Sequence, residues 1–586
     1  MTDRLSVSAI VTAVTSGATT AGAVMEDVLA RLESYDQVQP QAWISRFSSE
    51  QLRAAAAAVD LRVAAGEKLP LAGVPFAVKD NIDVAGLPTT AACPDFAYAP
   101  AQNAFVVQKL VDAGAVPIGK TNLDQFATGL VGTRSPHGAP RCVFNLDYIS
   151  GGSSSGSSVA VAAGLAAFAL GTDTAGSGRV PAAFNHLIGH KPSKGRWSSR
   201  GLVPACRSLD CISLFTNSAD DARLVDDVAA RFDPDDDFSR DVPERAIGMR
   251  IGVPLAHQRN FCGDAQSDFL YGQALDTLRQ LGFSIIEIDT AVLHETAALL
   301  YSGPWVSERT AAVKTLLAAN PDAIDPVVRS IVEGGQLVSG VDVFEGQYRL
   351  AHLARKAAAL WDMIDVMAFP TTPTIYRVRE LVASPLALNA NLGFYTNFVN
   401  LLDMAAVAVP AGFRHNKTGF GITFIAPAGT DRALLDLARV YGENQSANIP
   451  KIDKGDHMEI VKLAVVGAHL KDMPLHWQLT SRNAVFIEET KTASTYRLYA
   501  IANSTPPKPA LIYDESGGDI AVEVYELTTE AFGSFTAEVP APLAIGTVTL
   551  ADGSSVKGFV AEPRATIGAQ DITQLGGWRA FVAAGQ

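Results

Sequence analysis

Cysteine is scarce in this chain: there are five, Cys93, Cys142, Cys206, Cys211 and Cys262, with no CxxC pair. That excludes a disulfide framework and the common zinc patterns, and it points to a reducing cytoplasm. Positive charge is also in deficit. Lys and Arg number 47 against 61 Asp and Glu, a net charge of −14, which argues against nucleic acid and anionic membrane surfaces as partners. A membrane-length apolar run is missing as well. The best candidate, "VAVAAGLAAFALG", is too short to span a bilayer and too rich in Ala and Gly to compel insertion, so it reads as a buried helix. The start, "MTDRLSVSAIVTAV", lacks the basic-then-apolar order of a secretory signal. Internal repeats and low-complexity tracts are absent.

What remains is the composition of an ordinary globular protein, and 586 residues exceed what one core usually holds. Residues 1–60 carry apolar positions at helical spacing and strong helix formers. The texture then changes. "LAGVPFAVKDNIDV" is short, β-rich and broken by Pro and Gly. "NAFVVQKLVDAGAVPIGKTN" reads as helix, Gly stop and strand, and "SSVAVAAGLAAFALGTDT" as helix and strand. This alternation predicts an α/β domain built on a buried sheet. "ENQSANIPKIDKGDHM", residues 443–458, reads as a linker. Beyond it, short strands separated by turn residues predict a β-rich second domain over 459–586, which leaves 1–442 to the first.

Two motif matches are decoys. "GAVPIGKT", Gly114 to Thr121, fits the phosphate-loop pattern, which works only when a strand leads into the first Gly and a helix follows the Thr. Here a helix precedes Gly114, which reads as its C-terminal cap, and "AVPIG" is the strand itself. "GSSSG", Gly152 to Gly156, fits a nucleophile elbow at Ser154, yet no apolar strand leads into it.

The informative pattern is a constellation: Lys79 in "AVKD", Ser153 in "GGSSSGSS" and Ser177 in "DTAGSGR". Lys79 is flanked by apolar, β-type residues, and an isolated buried ammonium tends to lose its proton. Lowering a lysine pKa from about 10.4 to near 7 takes roughly 4–5 kcal/mol, which burial supplies. The amine then becomes a base for Ser177, with Ser153 as a hydroxyl that both donates and accepts. The residues just before Ser177 are suited to aim backbone N–H groups at a developing oxyanion.

The span "GGSSSGSSVAVAAGLAAFALGTDTAGSGRVPAAFNHLIGHKP" resembles the signature of the amidase signature family, and the resemblance covers most of 60–440. It implies a mixed central sheet covered by helices, with Ser177 as nucleophile, Ser153 as a bridging serine after a cis peptide, and Lys79 as the final base. The oxyanion donors it implies are the backbone N–H groups of Thr174, Ala175, Gly176 and Ser177. "SSSGSSVAVAAG", "RGLVPACRSLDCISLF" and "YSGPWVSERTAAV" are similar to the allophanate-hydrolase branch of that family, where Tyr301 and Arg309 are implied to grip the substrate carboxylate. A planar guanidinium suits that fork. "AVVGAHLKDMPLHWQL" and the strands after it look like the C-terminal domain of that branch, similar in fold to γ-glutamyl cyclotransferase-like barrels. There His469 and His476 stand as alternative proton-transfer residues, and "PLHWQL" departs from the branch's pattern.

The activity implied is hydrolysis of allophanate to N-carboxycarbamate and ammonia, with the second domain assisting decarboxylation, so that ammonia and carbon dioxide are the end products. No metal or cofactor is expected. A homodimer and a functional link to urea carboxylase or to triazine breakdown follow from the same resemblance. The rival readings are a general amidase, a non-catalytic binding protein, a C-terminal domain used only for assembly, and the ammonia-supplying component of a tRNA-dependent amidotransferase.

Overall fold

A computed structural model describes residues 4–444, 449–453 and 460–585, except 483, 503 and 505. By its internal contacts the chain divides into two compact units, residues 1–454 and 455–586. Parts of the expected linker, 445–448 and 454–458, lie outside the described residues. Among the described residues, no helix is long and apolar enough to cross a membrane.

The first unit is organised by one mixed sheet. In chain order its described strands are β1 (Trp43–Arg46), β2 (Pro75–Lys79), β3 (Val116–Thr121), β4 (Phe168–Asp173), β5 (Ile188–Lys191) and β6 (Cys211–Thr216). They are followed by β7 (Arg250–Pro254), β8 (Ser284–Ile288), β9 (Val366–Pro370), β10 (Met404–Phe413) and β11 (Gly419–Pro427). Their spatial order is β1-β3-β2-β4-β6-β5-β10-β11-β9-β7-β8. β2 runs parallel to both β3 and β4, whereas β4, β6, β5, β10, β11 and β9 form an antiparallel run. Every residue of β2, β4, β5, β6 and β9 is buried. That matches their near-continuous apolar runs, which suit strands covered on both faces.

The helices form where local signals ask for them. Ser6 caps the helix Val7–Thr15, and Thr20 caps Ala21–Tyr35. Ser48 and Gln51 close a capping box at the start of Ser49–Ala64. The helix Phe105–Asp112 stops at Gly114, whose φ is +94°. One detail departs from the sequence reading. Residues 1–60 are not wholly helical, because Trp43–Arg46 forms the edge strand β1, antiparallel to β3. Four residues between two helices carry too little pattern to reveal a pairing partner more than seventy positions away. Lys120 and Thr121 of the phosphate-loop match lie inside β3, with Lys120 buried against Asp80 at 3.1 Å.

The second unit holds a five-stranded sheet ordered Val485–Lys491, Ala521–Thr528, Ile460–Val465, Ser555–Ala561 and Leu543–Thr549. A three-stranded sheet accompanies it: Pro509–Tyr513, Tyr496–Ala500 and Gln570–Asp571. Its apolar core includes Leu463, Val465, Leu498, Val522, Val524 and Trp578.

In the first unit Phe76 of β2 stacks on Phe168 of β4, with ring centroids 4.9 Å apart and both side chains fully buried. Phe76→Ala removes that stack and leaves a cavity, so it should destabilise this unit by about 3–5 kcal/mol. The shift in denaturant midpoint of its unfolding transition measures the effect.

Candidate active site

β2 delivers Lys79 as its last residue into a fully buried position. Its Nζ donates to Ser153 Oγ at 2.8 Å and to Thr172 Oγ1 at 2.6 Å. Burial pulls the amine pKa down to about 7, against the opposing fields of Asp124, Asp210 and Asp173. None of these carboxylates forms an ion pair with it among the described residues. Lys120, another buried lysine, is by contrast paired with Asp80 and also donates to Thr89 Oγ1 at 2.9 Å. A buried amine without a counter-ion gains by staying neutral.

Ser153 follows Gly152 through a cis peptide, just before the helix Ser155–Ala162. The chain is very crowded here. A Cβ built on Gly152 would lie 2.2 Å from Asp124 Oδ2 and 2.4 Å from the Gly132 nitrogen. Asp124 in turn accepts from the backbone N–H groups of Val131, Gly132 and Arg134 at 2.9–3.2 Å. Only glycine fits between this carboxylate cradle and the serine. Ser154, at the centre of the elbow match, is latched to β4 instead: its Oγ accepts from Thr172 N–H and donates to Thr172 C=O, each at 3.2 Å.

Ser177 sits on the turn between β4 and the helix Val180–Phe184. Asp173, at the end of β4, organises that turn. Its carboxylate accepts from Gly176 N–H at 2.9 Å, Gly178 N–H at 3.1 Å, and Arg179 Nε and Nη2 at 2.8 and 2.9 Å. Burial raises the Asp173 pKa, but Arg179, Lys191 and the Gly178 N–H together outweigh it and hold the group below its ordinary value. Gly176 has φ +133°, and a Cβ there would lie 2.5 Å from Thr396 Oγ1. Ser177 is 2% exposed, and its Oγ donates to the Gly129 carbonyl at 3.4 Å. Among the described residues, no hydrogen bond joins the Ser177 and Ser153 hydroxyls.

The four backbone donors expected around an oxyanion do not share one fate. The N–H groups of Thr174, Ala175 and Ser177 have no protein acceptor among the described residues, whereas that of Gly176 is engaged by Asp173. The Thr174 hydroxyl donates to the buried Asp210 carboxylate. Burial raises the Asp210 pKa to about 6.

Tyr301 lies in the last turn of the helix Ala291–Ser302, and Arg309 lies on the next helix, Trp305–Ala319. Arg309 is 2% exposed, and its guanidinium lies 5.3 Å from the Tyr301 ring centroid. Nη1 donates to Thr128 Oγ1 at 3.1 Å, while Nε is buried without a partner. Thr128 and Gly129 are adjacent, so Arg309 and Ser177 hydrogen-bond to neighbouring residues of one loop. An apolar cluster of Ala175, Cys206, Leu209, Leu300 and Trp305, with Tyr301 packed on it, presses these helices onto the Ser177 turn. Thr172, Thr128 and Asp210 escaped the sequence reading. Thr172 had a readable signal, a polar residue in an apolar strand five positions before Ser177, whereas Thr128 and Asp210 arrive by topology alone.

In the second unit the two candidate histidines occupy different surroundings. His469 stacks on Phe559 at 4.9 Å, meets Phe535 edge-on, and shares a 2.7 Å hydrogen bond with Gln478 Oε1. Burial lowers its pKa. His476 Nε2 lies 3.2 Å from Tyr525 Oη, which donates to Glu523 Oε2 at 2.9 Å. Glu523, 3% exposed, also accepts from Lys471 N–H at 2.8 Å and Arg579 Nη2 at 2.5 Å.

An uncharged base, hydroxyls within its reach and unengaged amides suit attack on a neutral carbonyl with transient negative charge on its oxygen, which is the chemistry of an amide hydrolase. The chain belongs to the amidase family, whose model matches residues 23–435, and the model of the allophanate hydrolase C-terminal domain matches residues 461–583. Urea amidolyase from Saccharomyces cerevisiae is 44% identical over 569 residues, covering 92% of this chain and 31% of that protein. The chain thus spans about a third of the length of the urea amidolyases it matches. A glutamyl-tRNA(Gln) amidotransferase component of Deinococcus deserti is 35% identical, covering 75% of this chain and 96% of that one. A solved structure of Kluyveromyces lactis allophanate hydrolase is 40% identical with a TM-score of 0.67, covering 96% of this chain and 99% of that one.

Lys79 also leaves a signature in stability. Between pH 7 and about 10 the unfolded chain holds a proton that the folded chain lacks, so rising pH favours the folded state by up to about 1.4 kcal/mol per unit. Lys79→Met should remove that component, which the difference between the two denaturant midpoints across this pH range reads out.

Proposed function

We propose that this protein hydrolyses allophanate, with Ser177 as nucleophile. The contact that carries the reading is the buried, low-pKa amine of Lys79 at 2.8 Å from Ser153 Oγ. For reaction the Ser177 hydroxyl exchanges the Gly129 carbonyl for Ser153, a tightening common when substrate binds. Its proton passes through Ser153 to Lys79 as its oxygen attacks the terminal amide carbonyl. The N–H groups of Ala175 and Ser177, with that of Thr174, receive the oxyanion. Return of the proton expels ammonia and leaves an acyl ester on Ser177. Water, activated along the same path, cleaves the ester to N-carboxycarbamate. Arg309, buried beside Tyr301 with Nε unpartnered, holds the substrate carboxylate.

In the same reading the second unit takes N-carboxycarbamate onward. Loss of carbon dioxide breaks an N–C bond and leaves the electron pair on nitrogen, so a proton must be delivered there. His476 suits this better than His469: it ends a hydrogen-bonded chain through Tyr525, Glu523 and Arg579, whereas His469 is held between two aromatic rings. Spontaneous breakdown of the resulting carbamate completes the release of two ammonia and two carbon dioxide per allophanate. The net charge of −14 and this second unit set the chain apart from a tRNA-dependent amidotransferase component. Similarity to the longer urea amidolyases motivates a functional link to urea carboxylation; the scarcity of cysteine favours the cytoplasm, and a homodimer completes the reading.

Purified protein should turn over allophanate, and both Ser177→Ala and Lys79→Ala should lower kcat by about a thousandfold or more. Wild-type kcat/KM should rise with pH through about 7, because the base is the neutral amine. Persistent activity in either variant would refute the assignment. His476→Ala should leave the first ammonia at its normal rate and delay carbon dioxide, whereas His469→Ala with the same delay and His476→Ala without it would reverse the choice.

A further inference from the structure

Residues 205–210 form a turn with one end on the Ser177 loop and the other on the helix of Arg309. Asp210 accepts from Ala205 N–H at 2.8 Å, from Cys206 N–H at 3.1 Å and from the Thr174 hydroxyl. The Leu209 carbonyl accepts from Asn400 Nδ2 at 2.9 Å, and the same Nδ2 donates to the Asp173 carbonyl at 2.7 Å. On the far side Glu308, next to Arg309 in sequence, takes both donors of Ser208. N–H reaches Oε1 at 2.6 Å and the hydroxyl reaches Oε2 at 2.7 Å. Cys206 Sγ adds a contact to the Trp305 carbonyl at 3.5 Å, in the first turn of that helix. Leu209, Cys206, Ala175 and Trp305 share one apolar cluster, so the turn is wedged between the two elements as well as bonded to them.

A carboxylate gripped by Arg309 pulls on the helix Trp305–Ala319. Through Glu308 and Ser208 that pull reaches the turn, and through Asp210 it reaches Thr174, whose peptide lies among the unengaged amides. Binding energy from a remote, non-reacting group raises kcat only if it is realised at the reacting centre, and such a link is a means of doing so. We propose that the 205–210 turn couples the carboxylate anchor to the oxyanion loop, with Glu308 and Asp210 as positioning residues, so that a carboxylate-bearing amide gains turnover rate and not only affinity. The inference rests on the roles given above to Ser177 and Arg309.

Glu308 is half-buried, hydrogen-bonds to none of the groups assigned to chemistry among the described residues although its charge is felt by Arg309, and can be changed without opening the core. The test compares allophanate with propionamide, a small uncharged amide, on wild type, Glu308→Ala and Glu308→Gln. Glu308→Ala should lower kcat on allophanate by about tenfold with KM within about twofold, while propionamide kinetics stay unchanged. Glu308→Gln should recover most of the loss, because its amide still accepts from Ser208 N–H and donates to the hydroxyl. Equal losses on both substrates, a change in KM alone, no change, or a Gln variant as impaired as Ala would each overturn the coupling. Activity in Ser177→Ala, or an allophanate KM unaltered by Arg309→Ala, would instead overturn the site reading beneath it.

Discussion

The contact between Lys79 Nζ, Ser153 Oγ and Thr172 Oγ1 is the constraint on which the rest of the first unit depends. An amine can serve as a base near neutral pH only if water and counter-ions are kept from it, and both demands fall on the fold. The sheet meets the first, since β2 and β4 are covered along their whole length. Local chemistry meets the second. Each nearby carboxylate already has strong partners: Asp124 in its cradle of backbone N–H groups, Asp173 on Arg179, and Asp210 on two amides and a hydroxyl. Their fields raise the amine pKa, but not enough to overcome burial.

Asp173 shows how one side chain sets the geometry of a whole turn. It takes the amides of Gly176 and Gly178, while those of Thr174, Ala175 and Ser177 have no protein acceptor among the described residues. Gly176 is required twice, by its positive φ and by the approach of Thr396. Arg179 is fully buried, and besides Asp173 it donates to the Thr396 carbonyl at 3.3 Å and to Asn400 Oδ1 at 3.4 Å.

Much of this was legible in the sequence, and the boundary is instructive. Alternating helices and strands showed in the periodicity because the central strands are buried on both faces and read as apolar runs. Ser153 and Ser177 stood out because short Gly/Ser motifs mark them, and Lys79 because apolar, β-type residues flank it. β1 did not, since four residues pair across the sheet with β3. Thr128, Gly129 and Asp210 bear no local mark at all; a hydroxyl, a carbonyl and a carboxylate become important only once folding brings them to Arg309, Ser177 and Thr174. His469 and His476 were indistinguishable in one dimension. Their neighbours separate them: two aromatic rings around the first, and the Tyr525–Glu523–Arg579 chain at the second.

A neutral amine is a nucleophile as well as a base, and this one would work beside a carbonyl reactive enough to acylate a serine. The two hydroxyls held against Nζ therefore sheathe it as well as direct its proton. Any electrophilic carbon must displace an oxygen already at hydrogen-bonding distance from Nζ. The same packing that arms the nitrogen keeps it from being consumed as a reagent.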